Sequence, residues 1–219
     1  MSTQFDIVCL DLMDPPPTDG CLESLADRVA QVVNERQGSV TLVAHGLGVP
    51  IARHAVQNCS PARLVLSNGP ITRLDPFTHT LCRTAGLPGG PALLQTEPFT
   101  WWLSSSLGLR RAVRNPYVMD HDTVVAITGP HLQGKPQRRT VAQFLSSLRH
   151  APPPRGLYEG PTLAAWGDED PLYPLSEADN AQLWCPEISL VRLPGGHFMH
   201  PLEQPWALAD AILEWTEKS

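Results

Sequence analysis

The stretch Val40–Ala52, VTLVAHGLGVPIA, decides the reading of the fold. Val40 to Ala44 is a compact apolar run rich in β-branched residues, as strands buried on both faces tend to be. Gly46 and Gly48 break the run. Val49 to Asn58 then has helical spacing, with Pro50 tolerable in the first turn. A strand that turns at once into a helix presents its turn at the C-terminal edge of the sheet, where the sites of open α/β sheets gather.

Outward from this turn the same alternation continues. Upstream, Phe5 to Leu12 (FDIVCLDL) reads as a second buried strand, with Cys9 in its core. Leu22 to Asn34 places Leu22, Leu25, Ala26, Val29, Val32 and Val33 along one helical face, so a strand, helix, strand unit with a parallel crossover is expected. Downstream, Ala62 to Ser67, Thr162 to Trp166 and Ile188 to Leu193 read as strands. Leu175 to Cys185 reads as mostly helix and Pro205 to Lys218 as an amphipathic helix. Residues 72–158 interrupt the rhythm with LPGGP, the pair Trp101 and Trp102, and a helical stretch Thr140 to Arg149. An excursion this long is expected to be a lid or binding insert on a core formed by 1–71 and 159–219.

Composition narrows the function classes. Of 219 residues, 42% are hydrophobic and 17% charged, and Lys plus Arg number 16 against 22 acids, for a net charge of −6. That sign opposes phosphate neutralisation, so no nucleic-acid partner is expected. Neither a membrane span nor a basic, apolar leader is visible, which places the chain in the cytoplasm by expectation. Five scattered cysteines without a C-x-x-C pair indicate neither a disulfide framework nor a zinc site. Two lysines beside fourteen arginines suggest a GC-rich bacterial genome.

Three segments at predicted strand ends carry chemistry. In the first, Ala44–Gly48 (AHGLG) matches G-x-S-x-G in its small flanking residues but has Gly46 at the serine position. The second, PTLAAWGDEDPLYP (161–174), has the W-G-x-x-D pattern, and the third, LPGGHFMHPLEQP (193–205), has a G-H loop. In this order they resemble the α/β-hydrolase family, from about residue 5 to the end of the chain. The resemblance implies a mainly parallel α/β sheet flanked by helices with a helical lid. It further implies that Asp170 is the acid and His197 the catalytic histidine, with their side chains converging above Gly46.

The chain departs from the family's pattern in two ways. Glycine has no side chain with which to attack, so an acyl-enzyme mechanism loses its nucleophile. If the geometry of the turn is intact, a serine installed at 46 is expected to come within hydrogen-bond reach of the His197 imidazole. The strands and H-G loop that precede FDIVCLDL in the family are not seen, leaving the second oxyanion donor unassigned and the Leu47 N–H as one candidate. Either Phe5 to Leu12 fills the vacancy in a truncated sheet, or upstream sequence supplies the strands.

Further residues have a functional and a structural reading. His45 could face the pocket or pack against strands, and His200 is expected at the surface rather than on a metal. Asp168 and Glu169 form the solvated shoulder of the acid loop, with Asp168 the fallback acid. Asp11 and Asp14 shape a turn or border the site. Trp101, Trp102, Phe99 and Phe77 either roof an apolar pocket or form the insert's own core.

The reading that follows is a noncanonical α/β-hydrolase-fold enzyme. A His197–Asp170 dyad would carry out acid–base chemistry on a hydrophobic, enolisable carbonyl compound: cyclisation, elimination, isomerisation or carbon–carbon cleavage in bacterial specialised metabolism. No cofactor or metal is expected, and Gly46, Leu47, His45, Trp101 and Trp102 are expected to contact the small-molecule substrate. A homodimer stays open. The alternatives are a water-activating ester or lactone hydrolase without a covalent intermediate, and a non-catalytic ligand-binding pseudohydrolase.

Overall fold

A computed structural model of the chain describes residues 5–94, 96–103, 105, 108–132, 134–151 and 157–218. Four parallel strands, β1 (Thr41–His45), β2 (Arg63–Ser67), β3 (Thr162–Gly167) and β4 (Ile188–Leu193), lie side by side in chain order. Parallel neighbours need crossovers, and helices supply them. Before β1 comes α1 (Leu22–Glu35), capped by Cys21 Sγ, which accepts from the Ser24 N–H at 3.4 Å. Between β1 and β2 runs α2 (Gly48–Ala55).

The long connection from β2 to β3 contains α3 (Pro76–Ala85), α4 (Gly90–Leu93), α5 (Glu97–Leu103), a 3₁₀ turn at Leu109–Ala112, α6 (His121–Leu132) and α7 (Lys135–His150). After β3 come α8 (Leu175–Asn180), a 3₁₀ turn at Ala181–Leu183, β4, α9 (His200–Glu203) and α10 (Pro205–Lys218). The prolines at 152–154 lie outside the described residues.

Burial follows the strand period. The register Ala44–Leu66–Ala164 directs small and branched side chains toward α2, whose Val49 and Ala52 meet them, while Ile51 and Ala55 turn to α1. On the opposite face Val65, Leu163 and Ala165 pack under Leu208, Ile212 and Trp215 of α10, a spacing of four and three residues that puts all three on one helical face. Each fully buried Val or Leu here contributes about 2 kcal/mol of transfer free energy. The helices α3 and α7 share a core with α1, through Cys82, Ala85, Phe144 and Leu145 against Leu22 and Leu25.

Two strand expectations need correction. Phe5 to Leu12 forms no strand: Ile7 is 80% exposed and Cys9 lies at the surface, not in a core. An apolar run becomes a strand only where a neighbour completes its hydrogen-bond ladder, and among the described residues β1 pairs with β2 alone. Instead the segment ends in a turn in which Asp11 Oδ1 accepts from the Met13 N–H at 2.8 Å, and the Arg28 guanidinium of α1 donates to the Leu12, Asp14 and Pro15 carbonyls. Nor is β1 covered on both faces, since Val43, on the α10 side, is 49% exposed.

At the C-terminal edge the loops after β3 and β4 touch backbone to backbone. A Cβ on Gly196 would stand 2.9 Å from the Gly167 Cα, and one on Gly167 would meet the Gly196 carbonyl. Gly167→Ala should therefore force these loops apart and lower the unfolding free energy by about 1–3 kcal/mol, read as a shift in the urea midpoint at unchanged slope.

Candidate active site

The turn after β1 has the geometry its sequence asks for. Gly46 sits at φ +57°, and its N–H donates to the carbonyls of Ser67 (3.2 Å) and Asn68 (2.9 Å). Its own carbonyl accepts the Val49 N–H at 3.1 Å, while none of the turn's backbone bonds uses the Leu47 N–H. Space above Gly46 is already taken. A Cβ there would lie 2.9 Å from Cζ of Phe198, whose ring packs on His45 at 4.9 Å and Tyr173 at 5.7 Å between centroids. A serine at 46 would place its Cβ 2.9 Å from the edge of that ring, so its approach to His197 requires the Phe198 side chain to shift.

Loop 168–170 distributes its acids among different partners. Asp170 is buried, with Oδ2 accepting from Asn68 Nδ2 and Oδ1 from the Leu172 N–H at 2.7 Å. Burial pushes its carboxyl above the usual range, while the Asn68 and backbone hydrogen bonds and the nearby His197 pull it back. The His197 ring, in contrast, makes its carboxylate contact with Glu169: Nε2 stands 3.7 Å from Oε2, and Nδ1 is buried without a hydrogen-bond partner. Asp168 Oδ1 accepts from the Gly195 N–H at 2.8 Å, tying the acid loop to the histidine loop.

Asn68, which the sequence reading passed over, joins these parts. Besides holding Asp170, its Oδ1 accepts from the Gly167 N–H at 2.7 Å and its carbonyl accepts from Gly46. It does so at φ +25°, a backbone region that non-glycine residues seldom occupy. In the sequence S-N-G-P the residue carries only a turn signal.

A buried polar chain lies beside the turn. His200 is fully buried rather than at the surface, because Ser67 at the end of β2 gives its ring a partner. Its Nδ1 is 3.1 Å from the His197 carbonyl, which can only accept, so Nδ1 carries the hydrogen and Nε2 the lone pair. The Ser67 hydroxyl therefore donates to His200 Nε2 at 3.0 Å and accepts from His45 Nδ1 at 3.2 Å. His45 and Ser67 are register partners across β1 and β2, which brings the two side chains together. His45 Nε2 is left buried without a partner. Burial, reinforced by His200, pushes the His45 imidazole down to about 3, and burial also lowers His200.

The connection between β2 and β3 reaches this edge at several points. Met199 packs with Val113, Met119, Val124 and Ile127, and its N–H donates to the Ala112 carbonyl at 3.0 Å. Trp102 stacks with Phe77 (5.4 Å) and Phe99 (5.7 Å). Arg111 lies over the Phe77 ring and 3.8 Å from Asp75, which also accepts from the Tyr173 hydroxyl at 2.8 Å. Trp101 is 75% exposed and stands apart from that stack. Among the described residues no group of His, Cys, Asp and Glu is arranged to hold a metal ion, and no helix is long and apolar enough to cross a membrane.

Solved structures share this architecture. A thermophilic esterase from Thermogutta terrifontis superposes with a TM-score of 0.70 at 19% identity, over 92% of this chain and 74% of its own. An epoxide hydrolase variant from Bacillus megaterium gives 0.59 at 18%, over 95% and 78%, and an α/β-hydrolase-fold protein from Burkholderia ambifaria 0.65 at 19%, over 91% and 74%. The fold is that of the α/β hydrolases. No family model matches the sequence, and no curated protein does. At these identities the likeness extends to the fold alone.

The neutral histidines make stability depend on pH. Below about 6.5 the unfolded chain binds a proton on His45 that the folded chain refuses down to about 3, so stability falls as pH falls through that window, by up to about 1.4 kcal/mol per unit. His200 acts in the same sense. Asp170, raised by burial, acts oppositely above its unfolded value of 3.8. The urea midpoint should drop between about pH 7 and 5, and drop less in His45→Gln. Parallel drops in both proteins would show that His45 is not a neutral buried group.

Proposed function

We propose that the protein is an enzyme that moves protons with His197 on a small hydrophobic carbonyl compound, without a covalent enzyme intermediate. The observation that supports it best is the exchange of a nucleophile for packing: residue 46 has no side chain, and the Phe198 ring stands where one would project. Acyl transfer through this turn has no attacking atom. His197, with carboxylates of Glu169 and Asp170 nearby, keeps the parts of a general base. In the reaction it takes the α-hydrogen as a proton while the C–H electron pair passes onto the carbonyl as an enolate. The proton then returns to carbon or to a leaving group.

On this reading 72–158 is a lid, clamped to the histidine loop through Met199 and Ala112, and it selects apolar substrates. The resemblance to esterase and epoxide hydrolase structures supplies the scaffold for such a site and does not choose the reaction.

Exchange of α-hydrogens with deuterated water across a panel of hydrophobic ketones and thioesters, followed by NMR, tests the proposal. The wild-type chain should catalyse exchange, and His197→Ala should lose about a hundredfold or more. Acyl-enzyme from activated esters should form faster in Gly46→Ser combined with Phe198→Ala than in Gly46→Ser alone. Ester turnover without α-exchange would point to water activation, and ligand binding with no turnover to a pseudohydrolase. Exchange unaffected by His197→Ala would sink the assignment of the base.

A further inference from the structure

We propose that His200 is a positioning residue for His197, and that it releases the histidine loop when its ring takes up a proton, so that the site shuts in acid through a group other than the base. This rests on the reading of His197 as the group that moves protons. The fully buried His200 ring is a bridge. It reaches from the end of β2, where Ser67 Oγ lies 3.0 Å from Nε2, to the His197 carbonyl, 3.1 Å from Nδ1. The same carbonyl accepts the His200 N–H at 3.0 Å. That backbone bond closes the turn 197–200, and the ring ties the closed turn to the sheet.

The bridge is complete only while the ring is neutral. A carbonyl cannot donate, so Nδ1 carries the hydrogen and Nε2 offers its lone pair to the Ser67 hydroxyl. Ser67 in turn accepts from His45 Nδ1 at 3.2 Å. A proton on His200 Nε2 would set an N–H against that hydroxyl, and Ser67 must then swing its own hydrogen away. The neighbour at hand, His45 Nδ1, becomes an acceptor only if His45 moves its hydrogen to Nε2, which is buried without a partner. One proton therefore breaks a buried hydrogen bond whichever way the chain of three groups rearranges.

The charges around the ring do not relieve this. From β1, the His45 ring lies 5.7 Å away and opposes a positive charge on His200. On α9 Glu203 favours one, but its oxygens take the N–H groups of Arg114 (3.2 Å) and Asn115 (2.9 Å) from the connection. In the loop after β3, Asp170 is held by Asn68 and the Leu172 N–H, and Glu169 lies between Arg114 and His197. Burial outweighs Glu203 and lowers the proton affinity of His200, so the bridge stands at neutral pH and is lost as the pH falls through that lowered value.

Two measurements on the full chain test this. In the first, ring and backbone ¹H–¹⁵N spectra are followed downward from about pH 8 in His197→Gln, which removes the neighbour's own charge. The His200 hydrogen should start on Nδ1, and the amide signals of residues 195–199 should move with the midpoint of the His200 ring, below 6.5. They should not make that step in the double variant with His200→Gln, whose amide donates and accepts but takes no proton. In the second, kcat and KM for α-hydrogen exchange are measured against pH. His200→Ala should lower kcat about tenfold with KM within about twofold, while His200→Gln should recover most of kcat and have an acid limb one proton less steep than the wild type. A ring with its hydrogen on Nε2 at the start, loop amides that ignore its titration, a chain that unfolds before the ring is protonated, or wild-type steepness in His200→Gln overturns the switch. Unchanged kcat in His200→Ala overturns the positioning role and leaves His197 as the base. Because the spectra need no turnover, amides that follow His200 in a chain without exchange would defeat the proposed reaction and leave the switch standing.

Discussion

The edge of the sheet where the site lies depends on Asn68. Its side chain spans from the Gly167 N–H to the Asp170 carboxylate, and its carbonyl receives the Gly46 N–H, so the ends of three strands are referred to one residue. An amide can do this because it offers a donor and an acceptor about two ångströms apart, which neither a carboxylate nor an alkyl chain can. The left-handed φ of +25° is unfavourable for a residue with a Cβ, and buried hydrogen bonds of about 1 kcal/mol each offset it. Asp170 is consequently a fixed part of the scaffold. With one oxygen engaged by Asn68 and the other by the Leu172 N–H, its influence on His197 is through charge at a distance.

Beyond that hub the site trades reactive groups for packing and neutral hydrogen bonds. A nucleophile at a turn needs an open space next to it, and here Phe198 fills that space against His45 and Tyr173. A glycine at 46 lets the Phe198 ring lie close over the turn, since a Cβ there would stand 2.9 Å from Cζ and one of the two would have to shift. Similarly, burial keeps His45 and His200 uncharged, and the hydroxyl of Ser67 adds to this at His200, whose Nε2 can accept its hydrogen only when the ring is neutral. Two imidazolium ions at this spacing would repel one another in a region with no acid placed to balance them both.

Much of the fold was legible because strands and helices announce themselves locally. The strands from Ile188 to Leu193 and around Thr162 are apolar runs with a sheet neighbour to receive them, and the faces of α1 and α10 repeat at helical period. Phe5 to Leu12 has the same composition and no ladder, and pairing between distant segments leaves no local trace in a sequence. His200 reads as a surface residue because a polar residue in a loop usually is exposed; its burial follows from Ser67, 133 residues away. Glu169 and Asp170 are adjacent in the chain, yet one is half-exposed beside His197 and the other is enclosed by Asn68, a distinction that spacing in W-G-x-x-D does not contain.

The histidine loop is where these separate constraints meet. Gly196 holds its backbone against Gly167, Asp168 binds the Gly195 N–H, and His200 donates to the His197 carbonyl, so the main chain on both sides of the imidazole is fixed from beneath. From above, Ala112 accepts the Met199 N–H and Glu203 grips the backbone at 114 and 115. A ring whose backbone is held this firmly still rotates about its own side-chain bonds unless one of its nitrogens is engaged. Among the described residues the carboxylate in contact with it belongs to an exposed glutamate that an arginine of the connection shares. On the proposed reading, a rigid main chain with a softly held imidazole suits a proton carrier, because such a ring changes charge during a reaction while the atoms that place it do not move.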